Sequence, residues 1–185
     1  MANVNNLQEA FYNSLIYFLK SSAALDTDFV NRMYISNPDL NLSNLTLPFI
    51  LVTPYLNEGD VFEQPDVGGS AMGVNFTSRL MKFNFTIGVY CNTYAKQREL
   101  PQLVRRTILS ATVSSEDGIQ VYKGFDSSGD PDVGSELVVA DVELGDITPL
   151  GGETEEDVVR KFRSMIDGYW EYPADKTVRF ITTNT

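Results

Sequence analysis

The chain has 185 residues, of which 43 % are hydrophobic, with 11 Phe and 9 Tyr, a formal net charge of −11, a single cysteine and no histidine. That length suits one domain, and the aromatic content excludes a disordered chain. The missing histidine excludes Ser-His-Asp and Cys-His nucleophilic sites and most zinc sites, and the lone Cys91 excludes an intrachain disulfide.

In chain order, Leu7, Phe11, Leu15, Phe18 and Leu19 fall at helical spacing and predict a helix over Asn5–Ser22, capped by Asn5 or Asn6. A second short helix is predicted from Asp26 or Thr27 through Phe29, Val30 and Met33, before Pro38 and an Asn/Asp-rich stretch break regularity. The apolar run Leu47–Tyr55 reads as a buried strand. Asn57–Val74, with Gly59, Pro65, Gly68, Gly69 and Gly73, reads as a long loop. Met81, Phe83, Phe85, Ile87, Val89 and Cys91 alternate with Lys82, Asn84, Thr86, Gly88 and Tyr90, which predicts a strand with one face on a core.

Gln97–Ala111 reads as an amphipathic helix with a stripe of Leu100, Leu103, Val104, Ile108 and Ala111. Pro101 suits only a first turn and sets the predicted start near Arg98–Leu100. Ile119–Phe125 and Glu136–Leu144 read as a hairpin with a turn-rich tip, Asp126–Gly134. The segment 158–172 fits both periods, and Gly168 with the aromatic run around it favours a strand. Val178–Thr182 predicts a short final strand. Together these elements predict an α+β fold, a mixed, mostly antiparallel sheet packed by an N-terminal helix and one crossing helix, in a single domain spanning residues 1–185.

No run approaches the roughly 18 to 20 apolar residues that cross a bilayer, and Met1–Leu7 lacks the basic residues of a secretory leader. The expectation is synthesis in a cytosol without membrane attachment. Asp126, Asp130 and Asp132 imitate a calcium loop, but Pro131 and Leu137 occupy positions where such a loop needs Gly and Glu. Gly68–Gly73 lacks the Lys and Ser/Thr of a phosphate loop. No catalytic, cofactor or metal residue is nominated. A carboxylate-only metal enzyme and a ligand-binding domain with a pocket under the glycine loop are the rival readings from other classes.

Charge is the more informative property. Glu116–Asp157 holds 13 acidic residues and one basic residue, Lys123, whereas the rest of the chain nets +1. Nucleic acid is gripped through clustered Lys and Arg, so this balance argues against phosphate binding. It suits a surface that repels nucleic acid or meets a basic partner. The residues nominated for interfaces are Arg98, Arg105 and Arg106 on the predicted helix, Asp60, Glu63 and Asp66 in the predicted loop, and Asp130 and Asp132 at the hairpin tip.

The strand RLMKFNFTIGVYCNT (Arg79–Thr93) runs directly into the helix QRELPQLVRRTILSA (Gln97–Ala111), and KFRSMIDGYWEY (Lys161–Tyr172) closes the pattern. In this order of elements the chain resembles the tail terminator proteins of long-tailed bacteriophages. The resemblance implies a hexameric ring at the head-proximal end of the virion tail, made in the host cytoplasm. Such a ring caps the tail tube protein, meets neck or connector proteins and in some tails the sheath, and lets DNA pass without specific binding. Another head–tail joining protein is the nearest alternative.

Overall fold

Helix α1 (Val4–Ser21) buries Leu7, Phe11, Leu15 and Leu19 along one stripe, the four-residue spacing that keeps side chains on one helical face. Asn5 and Asn6, expected as caps, lie inside its first turn. This is a computed structural model that describes residues 4–29, 31–55, 60–65, 77–113, 116–151 and 162–173.

Helix α2 (Ala23–Phe29) starts earlier than its sequence pattern predicts and ends before Met33. Asn31 takes a left-handed φ of 60°, a conformation that Asn tolerates better than most residues. The Arg32 guanidinium then donates to the carbonyls of Asp28 and Phe29, capping the helix with a cation, and also to the Leu47 carbonyl. Met33 instead enters β1 (Met33–Ile35), which pairs in parallel with β2 (Phe49–Pro54).

Strand β3 (Asp60–Pro65) corrects the reading of Asn57–Val74 as a loop. Residues 57–59 and 66–74 lie outside the described residues. Both β2 and β3 pair with one edge of β4 (Thr77–Cys91), β2 on its second half and β3 on its first. Helix α3 (Tyr94–Leu109) follows at once, capped by the Thr93 hydroxyl, which accepts from the Lys96 N–H. Its start therefore precedes the predicted one, and Pro101 sits inside the helix and is buried. A small pair, β5 (Thr112–Val113) and β6 (Glu116–Asp117), leads into β7 (Ile119–Tyr122), β8 (Glu136–Leu150) and β9 (Phe162–Pro173). The predicted Val178–Thr182 strand lies outside the described residues.

The main sheet has the order β1-β2-β4-β9-β8-β7, with β3 also on β4. Only β1–β2 is parallel, so the α+β fold with a mixed, mostly antiparallel sheet is the one predicted. Helices α1 and α3 cover the face carrying Phe83, Phe85, Ile87, Val89 and Cys91, each at most 2 % exposed. At its centre Trp170 is sandwiched, with Phe11 stacked at 4.3 Å and Phe83 at 4.6 Å between ring centroids. Stacked pairs add about 0.5–1.5 kcal/mol beyond the area they bury. Gly168 leaves room beside this cluster: a Cβ there would stand 2.7 Å from Leu144 Cδ2 and 3.1 Å from Phe85 Cζ.

Two buried polar side chains join helices to strands. The Gln97 amide donates to the carbonyls of Leu150 and Arg163, where β8 and β9 end together. Ser14 donates to Ala10 and accepts from the Tyr122 N–H, fixing β7 on α1. At the β2 end the opposite sheet face is covered too, by Leu40, Leu42, Leu45 and Leu47 packed on Phe49, Leu51 and Tyr90.

Replacing Trp170 with Ala is expected to lower the unfolding free energy by about 3–5 kcal/mol. Gly168→Ala, which overpacks instead, is expected to cost about 1–3 kcal/mol. Urea titrations of both variants measure this, and an unchanged midpoint for Trp170→Ala contradicts the central role of the stack.

Candidate functional site

Beyond the leucine-covered end, the sheet face turned away from the helices is polar. Outward positions coincide across strands: Asp141 is opposite Glu171 and Glu143 opposite Tyr169 on β8–β9, while Lys82 is opposite Glu171 on β4–β9. The two-residue period of strands puts all five on one face. Lys82 Nζ lies 3.1 Å from the centroid of the Tyr169 ring, a cation–π contact. Next along β9, Asp167 Oδ1 accepts from the Thr86 hydroxyl at 2.6 Å, and Tyr55 hydroxyl lies 3.0 Å from the same Thr86 oxygen.

Among the described side chains, four carboxylates thus share this patch with one cation, Lys82. Its field is felt at Tyr169, whose phenol is pushed above its ordinary pKa, by desolvation first and then by Glu143, Glu171 and Asp141. Two carboxylates directly opposed across a ladder destabilise it by roughly 0.2–1 kcal/mol, so the Asp141–Glu171 pairing opposes folding rather than aiding it.

The outward surface of α3 carries the opposite sign. Helix α3 turns Arg98, Gln102 and Arg106 to solvent at four-residue spacing, between Tyr94 (63 % exposed) and Leu109 (48 % exposed). Glu99 is the exposed acid among them. Of the three arginines predicted for interfaces, Arg105 is held within the chain: its Nε–H donates at 3.0 Å to the Gly145 carbonyl, at the bulge that interrupts β8 between Leu144 and Ile147. A groove of about 390 Å³ separates the end of α3 from Asp141–Leu144, with Arg105 and Asp117 on its walls. Lys96 pairs with Asp28 at 2.9 Å and ties α3 to α2.

The predicted acidic interface residues are dispersed. Asp60 and Glu63 lie on β3, in register with Lys82 and Arg79 of β4. Asp66 is outside the described residues. At the hairpin tip, Asp130 is exposed, its amide donating to the Asp126 carboxylate, and Asp132 folds its carboxylate against Gly124. Asp126 also accepts from the Ser128 amide, so its carboxylate holds the turn. Among the described residues no three His, Cys, Asp or Glu side chains are grouped as metal ligands. The sheet-face carboxylates were missed as a set, although Asp141 and Glu143 alternate with Val142 and Leu144, and Asp167, Tyr169 and Glu171 with Ile166, Gly168 and Trp170.

Cys91 is fully buried, and burial pushes its thiol up to about 12, with Lys96 lowering it and Asp28 raising it. Tyr12 is raised to about 12 as well, by burial against a lowering hydrogen bond from Trp170. Among the described residues no helix is long and apolar enough to cross a membrane. No protein-family model matches the chain, and no curated protein matches it.

Both buried groups link stability to alkaline pH. An unfolded chain ionises its thiol near 9.0 and its phenol near 10.0, while the native chain holds both protons to about 12. Between those values the unfolded state binds fewer protons, so stability falls as pH rises and is fully present below about pH 9. Urea midpoints across this range are expected to decline, with a shallower decline in Cys91→Ala and Tyr12→Phe. Rapid labelling of native Cys91 by a maleimide at pH 8 contradicts the burial on which this rests.

Proposed function

We propose that the chain is a structural virion subunit, a tail terminator that assembles as a ring on the last layer of tail tube protein, ends tube polymerisation and presents a joint to neck or connector proteins. The observation that carries this reading is the arrangement behind the resemblance. The long strand β4 runs straight into the crossing helix α3, and the β7–β8 hairpin and closing strand β9 complete the same sheet. Supporting it, the prominent described surfaces are charged, exposed and suited to protein neighbours. The two grooves beside α3, of about 330 and 390 Å³, are open and bordered by Arg105 together with Arg106 or carboxylates. Small-molecule sites are mostly apolar and concave, which makes a ligand-binding domain the weaker reading. The acidic excess of Glu116–Asp157 lowers affinity for phosphates, so DNA passes such a ring without being gripped. On this reading the chain acts by shape and charge and performs no catalysis.

The test is polymerisation of a tail tube protein from the same particle, with and without this chain, followed by electron microscopy. Short tubes bearing the chain at one end are expected. Tubes of unchanged length with bare ends overturn the reading. If the chain instead binds an isolated head connector and ignores tubes, the alternative joining role takes its place.

A further inference from the structure

The acidic sheet face and the basic helix stripe are two different surfaces of one subunit, meeting at the groove between the end of α3 and Asp141–Leu144, and their chemistry is complementary. Helix α3 packs its buried side on β4, β8 and β9, so Arg98 and Arg106 point away from the sheet. The carboxylates of Asp141, Glu143 and Glu171 alternate with inward Val142, Leu144 and Trp170 on the same strands and therefore point the other way. A cross-strand pair of like charges persists on that face with Lys82 as its local counter-charge, and Lys82 is itself engaged over Tyr169. An arriving guanidinium relieves the repulsion. The basic stripe, for its part, is bounded by exposed Tyr94 and Leu109, and Tyr and Arg are enriched where proteins meet.

We infer that the sheet face around Asp141, Glu143 and Glu171 is the docking surface for the α3 stripe, Arg98 and Arg106, of a second copy of this chain. The contact joins two different surfaces, so it is heterologous: repeated, it closes into a ring or runs on as a filament. This rests on the ring reading above for its purpose, but the contact itself is tested separately.

The experiment is native mass spectrometry and sedimentation of the full chain at low and high salt, with two charge-reversed variants. At about 0.1 M salt the screening length is roughly 10 Å and at 1 M about 3 Å, so wild-type association is expected to weaken at least tenfold between them. Arg98→Glu/Arg106→Glu and Asp141→Lys/Glu143→Lys are each expected to be folded, by circular dichroism, and monomeric. Mixed in equal amounts they are expected to co-assemble, because each presents a surface complementary to the other's; misfolding cannot produce that rescue. A wild-type chain that stays monomeric at low salt overturns the inference. So does either variant assembling like the wild type, an outcome that leaves the acidic face to some other basic partner. So does failure of the mixture to co-assemble. Tube capping by a chain whose variants assemble normally sinks this contact and spares the proposed function. Salt-sensitive, rescuable assembly without tube capping does the reverse.

Discussion

Everything in this molecule is hung from the two edges of β4. Its fifteen residues hold β2 and β3 on one side and β9 on the other, and β9 in turn carries β8. A strand paired on both edges has no freedom to slip, because a shift of one residue exchanges its faces and turns Phe83, Phe85, Ile87 and Val89 to water. The Phe11–Trp170–Phe83 stack locks that register from above, since each ring belongs to a different element: α1, β9 and β4. The helices are consequently placed by the apolar stripes they bury on the sheet, by the Phe11 stack and by single buried polar groups, Gln97 and Ser14, rather than by long helix–helix interfaces.

With the apolar side chains committed to one face and one covered end, the charged residues divide by layer. Asp141 and Glu143 of β8 and Asp167 and Glu171 of β9 make the outward sheet face acidic, whereas four of the five charged residues of α3 (Lys96, Arg98, Arg105 and Arg106, against Glu99) are basic. The net charge of −11 conceals this division. On the contact inferred above, two surfaces of unlike sign on one subunit disfavour face-to-face pairing, in which like charges would meet.

The periodic parts of the architecture were legible from the sequence alone. The alternation from Met81 to Cys91 and the stripe from Leu100 to Ile108 each state a period, a face and a partner layer. The aromatic run around Gly168 correctly outweighed the helical reading of 162–172, for β9 needs the gap at Gly168 to admit Phe85 and Leu144. Elements that depend on distant partners were not legible. Three-residue β1 is a strand only because β2 lies beside it, and β3 sits in a glycine-rich stretch whose pairing with β4 no local pattern announces. Pro101 misled because a proline's cost inside a helix can be offset by burial of its ring, and the Thr93 cap proved the stronger start signal. The carboxylate patch was hidden for a related reason: its members come from two strands far apart in sequence, and only the β8–β9 register makes them neighbours.

The shared edge of β2 and β3 has a consequence for variation. Five residues lie between Pro54 and Asp60, but only Phe83 and Asn84 lie between their partners Phe85 and Lys82. After Pro54 the Tyr55 N–H still donates to the Asn84 carbonyl, and pairing on this edge resumes at Asp60. The registers of β2 and β3 on β4 are thus set separately, so a change of length between Pro54 and Asp60 need not shift either ladder or the Trp170 stack.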